Sequence, residues 1–126
     1  MRNSRIMRRS VHFVIFSAVL CALTAMPLLS RAQPTTAVNI VNNSNRAIRN
    51  VYLSPVGSDD WSVNQLGNNT IGAGQSFALN NVTCDQQQIK VIGEDQDGCF
   101  LSTIVTCGDS VTWTVTNDSE RDCGGD

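Results

Sequence analysis

A pair of carboxylates beside a tryptophan is the first place where this chain could do chemistry. Asp59 and Asp60 directly precede Trp61 in the stretch YLSPVGSDDWSVNQLG, which runs from Tyr52 to Gly67. An exposed indole ring can stack against a ligand while neighbouring carboxylates contact the ligand's polar groups. Trp61, Asp59 and Asp60 are therefore a possible interaction site.

The same stretch also has a structural interpretation. Ser58 can accept hydrogen bonds from the free N–H groups of a following turn, and Gly67 can adopt the positive φ that ends a helix. We therefore predict one short helical turn from Asp59 to Leu66. In it, Trp61 and Leu66 would cover the open edge of the domain and the second apolar face of the fifth strand.

A second acidic segment has the spacing of part of a calcium loop. Asp95 and Asp97 lie within Glu94-Asp95-Gln96-Asp97-Gly98, but the later bidentate glutamate of such a loop is missing at the right distance. Asp-Gly is also typical of a hairpin turn, because the turn needs a positive φ. We expect a hairpin turn here, and Asp95 and Asp97 remain weak candidates for a metal site.

The supply of catalytic side chains is small. The chain has one histidine, His12, so residues 33–126 contain none. This excludes most general-base, Ser-His, Cys-His and zinc-histidine sites from that part of the chain. Hydrolysis by two carboxylates is the remaining enzymatic alternative, with Asp59, Asp60, Asp95 and Asp97 as its candidates. No catalytic residue and no cofactor is predicted.

The N-terminal residues have the pattern of a secretory signal. A basic segment that ends at Ser10 precedes an apolar segment, Val11 to Leu29, and Ser30-Arg31-Ala32 places small residues before Gln33. We predict a Sec-type signal peptide over residues 1–32 and cleavage near Ala32. A retained membrane anchor is the alternative. We expect a secreted or periplasmic protein without stable membrane insertion after cleavage.

The charge of the chain changes when that segment is removed. Residues 33–126 keep four basic side chains against all eleven acidic ones, which gives a formal net charge of −7 instead of −2. Such a surface repels phosphate backbones, so nucleic acid is not an expected partner. The expected partner is an unidentified protein or an envelope component.

Four of the five cysteines follow residue 32, namely Cys84, Cys99, Cys107 and Cys123. An even number in a short exported chain predicts two disulfides with three possible connectivities. A hairpin turned by Asp95 to Gly98 brings Cys84 near Cys107. A second hairpin around Gly108 to Ser110 brings Cys99 toward Cys123, so these two pairs are predicted.

The hydrophobic pattern beyond residue 36 has a period of two and is interrupted by turn residues. It predicts an all-β domain, residues 33–126, with a core at about 38–116, mobile ends and a small antiparallel sandwich or open barrel of six to seven strands. The predicted strands are 37–41, 48–53, 76–79, 87–92, 99–106 and 110–116. The fifth is expected to be central, and the first an edge strand.

Several short motifs, taken in order, resemble those of a family of small exported bacterial β-domains without a characterised activity: Tyr52-Leu53-Ser54-Pro55, Trp61, Leu66-Gly67, Gly74-Gln75-Ser76, Cys84, Asp97-Gly98 and Cys107. The resemblance covers Val38 to Val115. Ser62 stands where relatives usually have Gly, and Cys99 and Cys123 look like additions to the common pair. The resemblance implies a fold and a compartment but no mechanism.

Three functional classes remain. A small non-enzymatic binding or interaction protein of unknown ligand fits best, because loops and sheet edges can bind without reactive groups. An inhibitor of a secreted hydrolase is the alternative, with Ser54 to Ser58 or Gln65 to Gly72 as the inserted loop. A carboxylate-dependent hydrolase is the second alternative.

Overall fold

A computed structural model describes residue 27, residues 33–84 and residues 86–125. The chain divides into two units, Met1–Ser30 and Arg31–Asp126, and all that follows concerns the second. The predicted signal peptide lies outside the described residues apart from Pro27. Among the described residues, no helix is long and apolar enough to cross a membrane.

Six strands make up the described domain, and all six predicted strands are present. Apolar residues alternate along the strands, so every second side chain faces the interior. In β6, Val115 is buried, and Val111 and Trp113 pack on the core. The strands are β1 Thr35–Asn43, β2 Ile48–Ser54, β3 Ser76–Thr83, β4 Gln88–Asp95, β5 Phe100–Thr106 and β6 Val111–Thr116.

The strands form two three-stranded sheets, in the orders β3-β1-β6 and β2-β4-β5. All neighbours are antiparallel except β1 and β6, which are parallel. The prediction of an all-β, mainly antiparallel sandwich is confirmed. The expectation that β1 is an edge strand is wrong, because β3 and β6 pair with both of its sides.

The core lies between the two sheets. Val38, Ile40 and Val115 come from one sheet, and Val51 and Val91 from the other, and all five are 0–1 % exposed. On β4, Gly93 leaves room for an aromatic ring from the opposite sheet, since a Cβ at Gly93 would lie 3.5 Å from the Trp113 ring. These contacts join the sheets into one sandwich.

The central strand of the second sheet is β4, not β5. In β4 both faces are covered, because Val91 is 0 % and Ile92 1 % exposed. β5 lies at the edge of the sheet, and its Ile104 is 54 % exposed. The expectation that β5 is central was wrong because an apolar residue on each face also suits an edge strand whose outer face is partly covered.

The predicted helical turn from Asp59 to Leu66 is absent from the described residues; only a turn is found, at residues 65–68. The segment instead runs along the outer edge of β2. Ser62 and Gln65 donate their backbone N–H groups to Leu53 and Val51, at 2.8 and 2.7 Å. These N–H groups satisfy carbonyls of β2 that a helix would have left without a partner.

Two disulfides join Cys84 to Cys107 and Cys99 to Cys123, the pairs that the sequence predicts. The reasoning for the second pair was wrong, because β5 and β6 lie in different sheets and form no hairpin. The chain after β6 returns to β5 instead. There, Phe100 and Asp122 exchange two backbone hydrogen bonds of 2.7 and 2.8 Å, which brings Cys123 beside Cys99.

Candidate functional site

Three aromatic rings meet on the outer face of the second sheet, the face turned away from the core. The Trp61 ring lies 5.4 Å from the Tyr52 ring, tilted by 37°, and 5.2 Å from the Phe100 ring in an edge-on arrangement. Such separations and tilts are favourable for aromatic pairs. Trp61 is 43 % exposed, so the cluster reaches the surface.

The strands determine where this cluster lies. Tyr52 is on β2 and Phe100 on β5, so their strands flank β4, and Tyr52 is paired with Ile92 of β4. A ring that contacts both aromatic residues must lie across β4. Ile92 is almost fully buried although it takes no part in the core between the sheets, which agrees with its being covered on this outer face.

A carboxylate lies at the edge of the cluster. Glu94 Oε2 accepts hydrogen bonds from the Tyr52 hydroxyl at 3.1 Å and from Asn50 Nδ2 at 2.9 Å. Burial raises the pKa of the Tyr52 phenol, and the hydrogen bond to Glu94 and the charge of Glu94 raise it further. Tyr52 therefore stays protonated at neutral pH, and Glu94 is held in one position.

Other exposed apolar and acidic side chains lie in the same segments. Val63 is 80 % exposed two residues beyond Trp61, and Ile104 lies on the outer face of β5. Asp59 and Asp60 are exposed, and the N–H of Asp60 donates to Ser58 Oγ at 3.1 Å.

The aromatic cluster and the side chains hydrogen-bonded at its edge are named together as the Trp61 patch. Its members are Tyr52, Trp61, Phe100, Glu94 and Asn50.

A groove borders the Trp61 patch on the side where β2 and β3 face each other across the sandwich. Its volume is about 470 Å³. Trp61 and Asp60 line one wall, and Leu79 and Asn81 of β3 line another. Leu66 is buried in the core. Trp61 lies against Phe100 on the outer face of β5, the face that it was predicted to cover, but it does not enter the core, so this flank of the sandwich stays open.

Asp95 is the last residue of β4, and Asp97 lies in the β4–β5 turn. Asp95 is 2 % exposed, and its Oδ1 accepts hydrogen bonds from the N–H groups of Asp97 and Cys99 at 2.9 and 3.1 Å. Gly98 has φ of 78°, as the hairpin prediction requires. The other oxygen, Asp95 Oδ2, lies 3.0 Å from Arg121 Nε, so this carboxylate already has partners on both oxygens.

The structure separates the two groups of predicted acidic residues. β2 ends at Ser54, just before Asp59 and Asp60, and pairs there with Lys90, whereas Asp95 is at the opposite end of β4. Lys90 and Asp95 are five residues apart on β4, which corresponds to roughly 17 Å of extended strand. Ser54, from which the chain continues to Asp59 and Asp60, therefore lies at the opposite end of β4 from Asp95. Within residues 33–84 and 86–125, no three metal-binding side chains converge.

Of the sequence-predicted interaction residues, Trp61 belongs to the patch, and Asp59 and Asp60 precede it on the same exposed segment. Sequence reasoning missed Tyr52 and Glu94. It placed Trp61 over the outer face of the fifth strand, on which Phe100 lies, but did not name Phe100 as a site residue. The alternation of apolar residues could have indicated them, because each of the three is next to buried residues on its strand and must therefore point away from the core. That alternation does not show which strands are neighbours, and so it does not show which outward-facing residues meet.

Comparison with known proteins adds little. No family model matches the chain, and no curated protein matches it. A solved structure described as "NMR structure of the protein from Eubacterium rectale" has 17 % sequence identity and a TM-score of 0.47, and the match covers 71 % of this chain and 84 % of that one. At that level of similarity, no conclusion about this chain is drawn from it.

Proposed function

We propose that this chain is a non-catalytic binding domain of an extracytoplasmic compartment, and that the Trp61 patch is its contact surface. The observation that carries the proposal is the exposure of Trp61, which is 43 % accessible while it rests on two further aromatic rings. Aromatic side chains held in place by their neighbours lose little entropy on binding and are common at binding hot spots.

The compartment is supported by the cysteines. All four cysteines beyond residue 32 are in disulfides, which form and persist in oxidising compartments. The secretory pattern of residues 1–32 agrees with this, and a Sec-type signal is part of the proposal. The resemblance to small exported bacterial β-domains points the same way.

The charge of the surroundings favours a partner with basic and apolar side chains. Asp59 and Asp60 precede Trp61, and Glu94 lies within the patch. A lysine or arginine could contact the face of an indole ring while carboxylates surround it. The proposed partner is therefore a protein or envelope component that presents cationic groups.

The arrangement of the carboxylates supports a binding function over a hydrolytic one. Glu94 accepts hydrogen bonds from Tyr52 and Asn50, and Asp95 is paired with Arg121, so both carboxylates take part in contacts that hold the fold together. Ser54 is fully buried, and its hydroxyl donates to the carbonyl of Ser58 at 2.8 Å, which leaves it unsuited to nucleophilic attack.

A Trp61→Ala variant tests the proposal. The disulfide-bonded protein would be cross-linked to cell-envelope extract, and captured partners quantified for the wild type, for Trp61→Ala and for Thr114→Ala, a control on the opposite sheet. We expect one partner that Trp61→Ala loses and the control keeps. The proposal is wrong if every partner is captured equally by all three proteins, or if the protein shows hydrolytic turnover that an Asp→Asn change abolishes.

Inhibition of a secreted hydrolase is the second candidate, and one loop favours it. The turn after β2 presents Val56, 42 % exposed, and is held by a hydrogen bond of 3.2 Å from Ser58 N–H to the Pro55 carbonyl. A rigid turn with an exposed apolar residue could enter an active-site cleft. Assays with a panel of secreted glycosidases and proteases would show inhibition that Val56→Asp removes and Trp61→Ala does not.

A further inference from the structure

We propose that the edge of β5 pairs with β5 of a second copy of this chain, so that the two copies share one continuous six-stranded sheet. This goes beyond the proposed function and does not depend on it. β5 is at the edge of its sheet, and its sequence, FLSTIVT, contains no charge, no proline and no glycine. Charged side chains and proline are among the features with which proteins usually protect an edge strand, and β5 has neither.

The backbone of β5 has unpaired groups on its outer side. In the antiparallel pair with β4, residues 101, 103 and 105 direct their N–H and C=O groups toward β4, so residues 100, 102, 104 and 106 direct theirs outward. Asp122 satisfies the outward groups of Phe100. Within the described chain, Ser102, Ile104 and Thr106 have no backbone partner on that side.

The other three edges are less suited to pairing. On β2, the outward groups of Ile48 bond to Ile71, and those of Val51 and Leu53 bond to the segment 62–65. On β3, the pairing with β1 is interrupted and Asn81 has φ of 56°, which distorts the edge. On β6, the outward groups of Thr116 are partly used by Ser119. β5 therefore offers the longest regular unpaired edge.

The unpaired N–H and C=O groups of β5 can form hydrogen bonds with the same groups on β5 of a second copy. A two-fold axis perpendicular to the sheet and midway between the two Ile104 residues places Ser102 of one copy opposite Thr106 of the other and Ile104 opposite Ile104. All three pairs have outward N–H and C=O groups, so they could form about six hydrogen bonds. The exposed Ile104 side chains would then meet on the outer face, in an interface of the isologous kind.

Charge determines how strong the association can be. Residues 33–126 carry a net charge of −7, so two copies repel each other, although β5 itself has no charged side chain. An edge of five residues also buries less than the roughly 1,200 Å² of a stable interface. We therefore expect a dimer with a dissociation constant in the micromolar to millimolar range. Salt should strengthen it by screening the repulsion.

Sedimentation of the purified disulfide-bonded protein tests the dimer across that concentration range. We expect a reversible monomer–dimer equilibrium that added salt shifts toward the dimer. Ile104→Lys places two like charges opposite each other and should weaken the dimer roughly tenfold or more. Thr114→Lys, an equivalent exposed change on the edge of β6, should leave it unaltered. A monomer at every concentration, or an Ile104→Lys protein that dimerises like the wild type, overturns the proposal.

Amide hydrogen exchange keeps the proposal testable if Ile104→Lys does not fold. In the wild-type protein, the amides of Ser102, Ile104 and Thr106 should exchange more slowly as concentration rises, while those of Thr112 and Thr114 on β6 should not change. If a dimer forms while the β5 amides exchange at the same rate at all concentrations, the interface lies elsewhere and the proposal is wrong.

Discussion

The backbone N–H of Val51 donates a hydrogen bond to the side-chain Oδ1 of Asn64, at 2.9 Å. In most sheets a neighbouring strand would supply a carbonyl at that place. Two residues further along β2, Ser62 Oγ accepts the N–H of Leu53 in the same way, also at 2.9 Å. Side chains of the segment after β2 thus accept the hydrogen bonds that the carbonyls of a fourth strand would accept, and they cover one edge of the sheet.

Removal of the Asn64 side chain should destabilise the domain. Val51 is fully buried, so Asn64→Ala leaves a buried N–H without a partner, which costs about 1–3 kcal/mol. Urea unfolding monitored by circular dichroism measures this cost. Asn64→Asp keeps the acceptor oxygen and should therefore lose less stability than Asn64→Ala. Asn68→Ala changes an exposed residue nearby and should leave the free energy of unfolding unchanged. If Asn64→Ala unfolds like the wild type, this side chain does not stabilise the edge.

Truncation of Trp61 should lower the free energy of unfolding by less than truncation of a core aromatic residue. Because the ring is 43 % exposed, we expect Trp61→Ala to lower the free energy of unfolding by about 1–2 kcal/mol, below the ~3–5 kcal/mol typical of buried aromatic residues. The chain has two tryptophans, so fluorescence of a Trp113→Phe variant reports Trp61 alone. Its emission should be readily quenched by acrylamide, a neutral quencher that the acidic surface does not repel. Emission resistant to acrylamide would mean that the ring is buried and the patch is not a surface.

The titration of Tyr52 should appear as a loss of stability at high pH. Its folded-state pKa is raised above the ordinary value of 10.0, first by burial and then by Glu94, so folding favours the protonated phenol. The resulting stabilisation is complete below pH 10 and is lost as the pH rises through the folded-state pKa.

Tyr52 is the single tyrosine, so tyrosinate absorbance follows it directly. Glu94→Gln should lower its pKa toward the ordinary value, and Tyr52→Phe should remove its contribution to the pH dependence. A Glu94→Gln protein with an unchanged tyrosine titration would contradict the contact between these two side chains.

The two disulfides should stabilise the domain by similar amounts but protect different residues. Their cysteines are 23 and 24 residues apart, so the loop-entropy model gives each about 3 kcal/mol. Replacing Cys99 and Cys123 by Ala should in addition speed hydrogen exchange of the Phe100 amide, because Asp122 would no longer be held beside β5. The Cys84 and Cys107 double variant is the control. If both variants leave the Phe100 amide equally protected, the C-terminal segment is held on β5 without its disulfide.

Local features of the chain were predictable from the sequence because they depend on neighbouring residues. All six strands are present where the alternation of apolar residues places them, and Val111, Trp113 and Val115 face inward as expected. Ser58 accepts a hydrogen bond from the N–H of Asp60, and Gly67 has a positive φ of 60°, although no helix lies between them. Serine and glycine favour those local conformations in a loop as well as at the ends of a helix.

The neighbours of each strand were decided only by the tertiary structure. Alternation shows which side chains of β1 and β5 face the core, but an edge strand and a central strand can share the same pattern. The parallel pairing of β1 with β6 makes β1 central, and it separates β6 from β5, which no local signal specified. The Trp61 patch follows from the same long-range pairing, because β4 holds Tyr52 and Phe100 on its two sides at the spacing that one indole ring can bridge.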